Sequence, residues 1–304
     1  MVSEWPFVSV DMELTNKCMC DCLMCPREAI SRPAGFMTEE TFKTISDKLV
    51  KEGSLITFSG MGDPLLHPDI FDWIGTLRLS GADIGVVVNP ASLTSHNSRK
   101  LVNASPNSIT LSFPSIQERV FERLCPNVSF SDALKRAAKL IGLARGNVGL
   151  RIKGILTDRN RGETDQYVSF WKCLGVPSSM VACHGRGGKL KKPDIYNPKP
   201  FESESERCGL ISFHTFVSWE GEVLACCHDL TGSTRIGSLI TEEVHAIGER
   251  KESLHKMGSR PFFLCRTCDE PLRHCVLPQG LPPSGKRERN RFFRNVLRCP
   301  GNFS

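Results

Sequence analysis

The chain has 304 residues, of which 40% are hydrophobic and 24% charged, and its formal net charge is +6. This composition excludes a disordered chain and a coiled coil. No segment approaches the roughly 20 consecutive apolar residues that a membrane span needs, and no signal-peptide pattern is present. We therefore expect a soluble cytoplasmic protein without a membrane partner.

The positive charge is concentrated near the carboxyl terminus. Residues 277–304 carry six basic side chains against a single acidic one, Glu288. Charge that is so localised argues against a broad basic face. We therefore expect no nucleic acid among the partners.

Short apolar runs alternate with amphipathic stretches from residue 8 to residue 184. The predicted strands are 8–14, 55–58, 84–88, 108–112, 148–155 and 180–183, and the predicted helices are 38–50, 69–79, 97–102, 131–144 and 163–174. Such alternation predicts an α/β protein with a parallel sheet, and six units suit a partial (β/α)6 barrel of the TIM type. A doubly wound sheet is the alternative that the pattern leaves open.

The composition changes after residue 184. The four predicted parts are a barrel (1–184), a linker rich in Gly, Pro, Lys and Glu (185–206), a small cysteine-rich extension (207–276) and a basic tail (277–304). In the extension, β-like pieces at 213–218 and 223–225 precede one helix near 242–257. A unit this small has a small hydrophobic core and needs additional stabilisation, such as bound metal.

Cysteine is the outlier in the composition, with 14 residues. Thiols stay reduced inside a cell, so this excess indicates metal ligation or redox chemistry rather than disulfides. Directly after the first strand, Cys18, Cys22 and Cys25 have the spacing C-x3-C-x2-C, with Cys20 between them. Three thiolates on one loop can hold three irons of a [4Fe–4S] cluster and leave the fourth iron open. A zinc knuckle with Cys20 as its fourth ligand is the alternative.

This spacing after a first strand resembles the radical S-adenosylmethionine superfamily, and the likeness covers nearly all of residues 8–184. The stretch 59–68 is similar to the Gly-Gly-Glu region of that family. The resemblance implies that Gly60, Gly62 and Asp63 meet the amino group of the cosubstrate's methionine. Asp in place of the family's Glu keeps the charge and shortens the reach.

Later strands end at further positions that resemble the family. Asn89 lies in a stretch similar to the family's Thr-Asn-Gly, and Ser112 matches a serine that contacts the ribose or the carboxylate. Arg151, with Lys153 on the same strand, is placed to meet the carboxylate of the cosubstrate. These assignments follow from the resemblance alone.

The resemblance also implies the chemistry. An open iron is chelated by S-adenosylmethionine, and an electron from a flavodoxin- or ferredoxin-type donor breaks the S–C5′ bond. The resulting 5′-deoxyadenosyl radical removes a hydrogen atom from a small-molecule or peptide substrate.

A second cysteine set resembles the SPASM/twitch extension of radical enzymes. By position, Cys208, Cys226, Cys265 and Cys268 correspond to the four ligands of one auxiliary [4Fe–4S] cluster. A further cluster that also uses Cys275 and Cys299 is a live alternative. A zinc ribbon is another, because paired thiolates bind zinc equally well.

Five residues in or beside the extension are candidates for the reaction itself. Cys227 and Cys183 are candidate hydrogen-atom donors, and His184, His228 and His214 are candidate bases. The resemblance favours an oxidoreductase that passes an electron to the auxiliary cluster and a proton to a base. A radical epimerase of an aminoglycoside or peptide, and an enzyme that makes peptide thioether or carbon–carbon crosslinks, are the alternatives. A non-enzymatic zinc-binding module is the outside alternative.

Overall fold

A computed structural model of the chain describes residues 7–197, 208–257 and 261–270, and nine strands of these residues form one sheet. The strands are β1 (Ser9–Met12), β2 (Leu55–Phe58), β3 (Asp83–Val88), β4 (Ser108–Ser112), β5 (Gly149–Leu156), β6 (Ser178–Ala182), β7 (His214–Val217), β8 (Glu222–Leu224) and β9 (Arg235–Ser238). The helices are α1 (Glu39–Glu52), α2 (Ile70–Leu79), α3 (Ser95–Asn103), α4 (Glu118–Leu124), α5 (Phe130–Ala144), α6 (Thr164–Cys173), α7 (Leu210–Phe213) and α8 (Val244–Met257). Short 3-10 helices lie at Arg27–Ala29, Pro64–Leu66, Pro90–Ser92 and Phe263–Thr267.

The first six strands are parallel and stand side by side in chain order, from β1 to β6. A doubly wound sheet reverses its strand order at a switch point. Here each strand pairs with the next one along the chain, and one or two helices lie between them. The prediction of a partial (β/α)6 barrel is therefore confirmed, and the doubly wound alternative is wrong.

Alternation along the strands separates an apolar face from a polar one. Val10, Met12, Ile56 and Phe58 of β1 and β2 are buried, and the residues between them are half-buried. Side chains of a strand point to opposite faces in turn, so the buried set packs beneath the helices. The other set, which includes Asp11, faces the interior of the barrel.

Helix α1 shows how local sequence builds the outer layer. The side chain of Thr38 accepts a hydrogen bond from the backbone N–H of Thr41 at 3.1 Å and so caps the helix. Gly53 ends the helix with a left-handed φ of 74°. Between these ends, Phe42 stacks on Trp73 of α2, with ring centroids 4.1 Å apart. This contact fixes α1 against the neighbouring helix.

The extension continues the sheet of the barrel. Strand β7 pairs in parallel with β1, with His214 opposite Ser9, and β8 and β9 follow in antiparallel order. Strands β7 and β8 and helix α8 correspond to the β-like pieces and the helix that the sequence predicts, whereas β9 was not predicted. Trp219 covers Gly35 of the barrel, where an added Cβ would lie 2.5 Å from the indole ring. A residue larger than glycine at position 35 would therefore push the two parts of the chain apart.

Part of the predicted linker packs against the barrel. Leu190, Ile195 and Tyr196 are buried and form a small apolar group with Leu124 of α4. The composition of residues 185–206 predicts a linker, but three apolar side chains hold part of this segment against the barrel.

Two segments that carry predictions lie outside the described residues, 198–207 and 271–304. The second segment includes the basic tail, Cys275 and Cys299. The four-part division and the further auxiliary cluster therefore stay predictions. No helix within the described residues combines the length and apolar character that crossing a bilayer requires.

Candidate active site

The loop of the first cysteine set lies at the carboxyl end of β1, the edge at which barrel enzymes carry out their chemistry. Arg27 anchors this loop, because its guanidinium donates to the carbonyl of Asn16 at 3.0 Å and also to that of Met61. On the other side, the amide of Asn127 donates to the carbonyl of Met19 at 2.6 Å. Hydrogen bonds of the chain itself thus hold the loop between the β2 end and the segment after α4.

The four sulfurs of this loop are not equivalent. Cys18, Cys22 and Cys25 are half-buried, whereas Cys20 is only 4% exposed. The thiol of Cys20 donates inward to Oδ1 of Asn89 at 3.4 Å. The arrangement suits three iron ligands with an open fourth position, and it disfavours the zinc knuckle, which needs Cys20 as a ligand.

The electrostatics of the loop also suit a metal centre. Hydrogen bonding with Cys20 and burial raise the pKa of Cys18, and burial raises the pKa of Cys25. Contact with Cys125, whose Sγ lies 3.3 Å away, raises the pKa of Cys22. Crowded thiols of this kind become thiolates when a cationic centre supplies the opposing charge. The donor set therefore fits an iron–sulfur cluster.

The loop after β2 leaves no room for side chains at two glycines. A Cβ on Gly62 would lie 2.0 Å from the carbonyl oxygen of Thr15 in the cysteine loop, and a Cβ on Gly60, whose φ is +148°, would lie 2.8 Å from Cγ of Glu13. The backbone N–H of Asp63 donates to the carbonyl of Lys17 at 2.8 Å. Packing thus explains both glycines, with Gly62 against the cysteine loop and Gly60 against Glu13. Their contact with the cosubstrate stays a prediction.

Asp63 and Asn89 are brought together by the loops that follow β2 and β3. Asp63 is 1% exposed, and its two carboxylate oxygens accept from the backbone N–H of Leu65 at 3.0 Å and from the amide of Asn89 at 2.7 Å. Burial raises the pKa of Asp63, while Ser92, Leu65 and Asn89 oppose that shift. Asp63 therefore ties two loops of the site together, and its contact with the methionine amino group stays a prediction.

Glu13 is a charged residue of this site that the sequence reasoning missed. It is fully buried, accepts two hydrogen bonds from Arg32 at 2.7 and 3.1 Å, and accepts one from the backbone N–H of Met61 at 3.2 Å. The guanidinium of Arg32 also lies 5.7 Å from the ring of Phe216 in β7. Glu13 thus connects β1, the β2 loop and the extension. The available signal was an acid near the end of the predicted first strand, where it follows Asp11 by two residues.

Ser112 and Arg151 lie on neighbouring strands and face the barrel interior. Ser112 ends β4, and Arg151 lies in β5 opposite Thr110. Both are half-buried and alternate with the buried Leu111 and Ile152. The structure therefore places both on the inner face, while their contact with the cosubstrate stays a prediction.

The four predicted ligands of the auxiliary cluster gather from three parts of the extension. Cys208 precedes α7, Cys226 follows β8, and Cys265 and Cys268 lie at the last 3-10 helix. Burial, with Cys268 and Cys265 nearby, raises the pKa of Cys208 to about 11. A hydrogen bond with Cys227 and burial raise the pKa of Cys226, and Cys268 acts in the same direction. Four half-buried thiols from these three places fit a fully ligated [4Fe–4S] cluster.

A stacked histidine pair lies beside the auxiliary set. The rings of His184 and His228 are 4.3 Å apart and within 7° of parallel, and their Nε2 atoms lie 3.4 and 2.9 Å from one carboxylate oxygen of Glu270. Both Nδ1 atoms are buried without a hydrogen-bond partner among the described residues. Because an imidazole binds metal in its ring plane, one ion cannot lie in two stacked planes. The trio suits proton chemistry better than a metal ion.

The charges of this trio are unequal. Burial, His228 and Arg186 lower the pKa of His184 to about 3, so this ring is neutral. Burial acts against ionisation of Glu270, but the hydrogen bond from His228 lowers its pKa to about 2. Glu270 is the second functional residue that the sequence reasoning missed. Its position two residues after Cys268 gave no signal for a contact with His184.

The two candidate hydrogen donors differ in protonation. A hydrogen bond with Cys226 lowers the pKa of Cys227, and the neighbouring His228 and His214 lower it further. Burial alone would raise this pKa. Burial raises the pKa of Cys183 to about 12. Cys183 therefore keeps its S–H bond, and Cys227 loses its proton more readily.

His214 is held by the barrel. Its Nε2 lies 3.3 Å from Oδ2 of Asp11 in β1. Burial alone would lower the pKa of His214, but Asp11 and Cys227 raise it to about 10. His214 is therefore protonated and is a poor proton acceptor.

Comparison with known proteins identifies the class. The profile of the radical SAM superfamily matches residues 12–166, and the profile of an iron–sulfur cluster-binding domain, SPASM, matches residues 208–269. The chain belongs to the radical SAM superfamily and carries a SPASM-type extension. The predicted family is confirmed, and the non-enzymatic zinc module loses its support.

Individual relatives are distant. The tungsten-containing aldehyde ferredoxin oxidoreductase cofactor-modifying protein of Pyrococcus furiosus is 23% identical over 180 residues, which are 56% of this chain and 50% of that protein. The chain spans about half the length of the curated relatives it matches first.

Solved structures share the fold. BtrN in complex with AdoMet and 2-DOIA has a TM-score of 0.59 at 18% identity, covering 87% of this chain and 93% of BtrN. SuiB of Streptococcus suis bound to precursor peptide SuiA has a TM-score of 0.65 at 14% identity, covering 89% of this chain and 71% of SuiB. The cofactors follow from the two matched domains: a [4Fe–4S] cluster, an auxiliary cluster and S-adenosylmethionine. The predicted cofactors are confirmed.

Proposed function

We propose that the chain is a radical SAM oxidoreductase that dehydrogenates its substrate, with the auxiliary cluster as electron acceptor. The observation that carries this proposal is the contact between a proton-holding group and the auxiliary set. The backbone N–H of His228 donates to the sulfur of Cys226 at 3.4 Å, and its ring Nε2 lies 2.9 Å from Glu270. Glu270 itself follows Cys268 by two residues. Dehydrogenation after hydrogen abstraction requires the loss of one electron and one proton, and acceptors for both lie side by side here.

Each group of the site has a role in this proposal. When bound, the first cluster and S-adenosylmethionine supply the radical that abstracts a hydrogen atom. Cys18, Cys22 and Cys25 hold the first cluster, and Asp63 with Asn89 shapes the cosubstrate pocket beside it.

Proton transfer falls to His184. Its Nε2 lies 3.4 Å from a carboxylate oxygen of Glu270, and its Nδ1 has no hydrogen-bond partner among the described residues, so the neutral ring offers a nitrogen that can take a proton. Arg186 lies near enough to Cys25 of the first set and to His184 for its charge to lower the pKa of both. There it can hold a polar group of the substrate. Its backbone has a left-handed φ of 49°, a conformation that packing must maintain.

The substrate class in this proposal is a small molecule or a peptide. Likeness to BtrN with 2-DOIA supports the first, and likeness to SuiB with a precursor peptide supports the second. The proposal also includes an electron donor of the flavodoxin or ferredoxin type and no nucleic-acid or membrane partner.

A radical epimerase is the second candidate function, and Cys183 is the observation that favours it. Its thiol is buried, stays protonated and lies close enough to Arg186 and Cys25 for their charges to interact. An S–H bond is weak enough to return a hydrogen atom to a substrate radical. In this alternative Cys183, rather than Cys227, is the donor.

Product analysis decides between these functions. The anaerobically reconstituted enzyme, with dithionite and S-adenosylmethionine, is offered aminocyclitols and precursor peptides, and substrates are recognised by increased 5′-deoxyadenosine. Oxidation gives a product that lacks two hydrogen atoms. Epimerisation gives a product of unchanged composition that takes deuterium from solvent, and Cys183→Ala abolishes this uptake. A crosslinked peptide would contradict both.

A further inference from the structure

Cys125 is a buried thiol that neither cysteine set uses. It follows α4, is 5% exposed, and its Sγ lies 3.3 Å from that of Cys22. The two residues are 103 positions apart in the chain. The C-x3-C-x2-C spacing assigns Cys22 to the first cluster and gives no role to Cys125.

The backbone holds these two sulfurs together. On one side of the pair, the N–H of Leu23 donates to the carbonyl of Leu124 at 2.9 Å. On the other side, the N–H of Asp21 donates to Oδ1 of Asn127 at 3.1 Å. The amide of Asn127 in turn binds the cysteine loop at Met19. The contact therefore results from the docking of two loops rather than from one side-chain rotamer.

We propose that Cys22 and Cys125 form an oxidation site: in the cluster-free chain they close a disulfide that withdraws Cys22 from the first cluster. A disulfide has an S–S length of about 2.05 Å. The sulfurs therefore need to approach by little more than about 1 Å, and a bound cluster prevents the reaction by holding Cys22 on iron. Cluster and disulfide thus exclude each other.

Oxidised glutathione is a disulfide that can oxidise the two cysteines by thiol–disulfide exchange. The thiolate of the half-buried Cys22 attacks one glutathione sulfur, forms a mixed disulfide and releases the other glutathione as a thiolate. The thiolate of the buried Cys125 then attacks the Cys22 sulfur, forms the Cys22–Cys125 bond and releases the second glutathione. The two cysteines together lose two electrons and two protons, and one glutathione disulfide is reduced to two glutathiones.

Peptide mapping tests this directly. The full chain is stripped of iron with a chelator and a thiol reductant, freed of both, treated with oxidised glutathione, alkylated and digested with trypsin. We expect the loss of about two free thiols per chain, the stoichiometry of one disulfide, and a link between peptides 18–27 and 124–135. Fragmentation must place this link on Cys22 and Cys125. A link from Cys22 to Cys18, Cys20 or Cys25, or no link at Cys125, overturns the proposal.

Iron uptake gives a second readout that does not depend on turnover. The oxidised wild-type chain should take up about four fewer irons than the reduced chain, the content of one cluster, until a thiol reductant is added. Cys125→Ala and Cys125→Ser lack the second thiol, so oxidation should stop at the mixed disulfide and leave glutathione on Cys22, which the mass of peptide 18–27 reveals. Cys173→Ala, in which an exposed cysteine is replaced, should behave as wild type. A Cys22 free of glutathione in both Cys125 variants, together with the wild-type loss of iron uptake, would contradict the proposal. Because the mapping uses the wild-type chain, a folding defect in either variant leaves the test intact.

Discussion

The two cysteine sets of this chain are assembled in opposite ways. Cys18, Cys22 and Cys25 lie in one loop, which backbone and side-chain hydrogen bonds already hold in place. The auxiliary set, in contrast, comes from three places that meet only when the extension has folded. Metal binding is coupled to folding wherever the ligands are dispersed. We therefore expect the first set to serve the chemistry and the second set also to support the structure that holds it.

The largest expected effect is the loss of cosubstrate cleavage on breaking the first set. In Cys22→Ala only two of the three thiolates remain, so the cluster that cleaves S-adenosylmethionine is lost. We expect no 5′-deoxyadenosine above background and about four fewer irons per chain. Chromatography and iron analysis after anaerobic reconstitution measure both. Retained cleavage would show that residues 18–25 are not the cluster site.

Breaking the auxiliary set should separate cleavage from product formation. Cys208→Ala removes one of four dispersed ligands and leaves the loop after β1 untouched. We expect continued formation of 5′-deoxyadenosine, about four fewer irons, and loss of the oxidised product. Cys173→Ala is the matched control, since that cysteine is exposed on α6. Oxidised product at wild-type yield would contradict electron transfer to the auxiliary cluster.

Glu270→Gln tests the proton-holding group beside the auxiliary set. The amide keeps the size of the side chain but removes the charge that balances the histidine pair. We expect product formation to fall by about 100-fold, at the lower end of general acid–base effects, with cosubstrate cleavage in the absence of substrate unchanged. Glu249→Gln on the exposed surface of α8 is the control. A normal product rate would remove Glu270 from the reaction.

Glu13→Gln tests the connection between the two regions. It leaves the buried guanidinium of Arg32 without its charged partner, and breaking a buried pair costs about 3–5 kcal/mol in the free energy of unfolding. Thermal unfolding of the cluster-free protein measures the effect as a lowered transition temperature. Glu39→Gln, which breaks the exposed Glu39–Lys43 pair, should leave that temperature nearly unchanged. Equal effects of the two substitutions would show that the buried Glu13–Arg32 pair does not stabilise the fold.

Local features of this fold could be predicted from the sequence, and contacts across the chain could not. The strands predicted at 55–58 and 108–112 match β2 and β4, and the helix predicted at 38–50 matches α1, which Thr38 caps. These features depend on neighbouring residues. Helix α4 was missed, because seven residues, several of them charged, give no clear period.

The candidate site shows the same division. The spacing of the cysteines predicted both sets, because the family's motif is a pattern of spacings along the sequence. Glu13, Glu270 and Cys125 were missed because their partners are brought near only by the sheet and the loops. Their roles depend on packing, which no local pattern records.

The parallel pairing of β1 with β7 has a consequence for synthesis of the chain. About 200 residues separate the two strands, and translation proceeds at about 5–20 residues per second. For roughly 10–40 seconds, the nascent β1 therefore presents an open row of N–H and C=O groups while β7 is still being made. A ribosome-associated chaperone that shields this row during elongation would suppress strand exchange between neighbouring nascent chains.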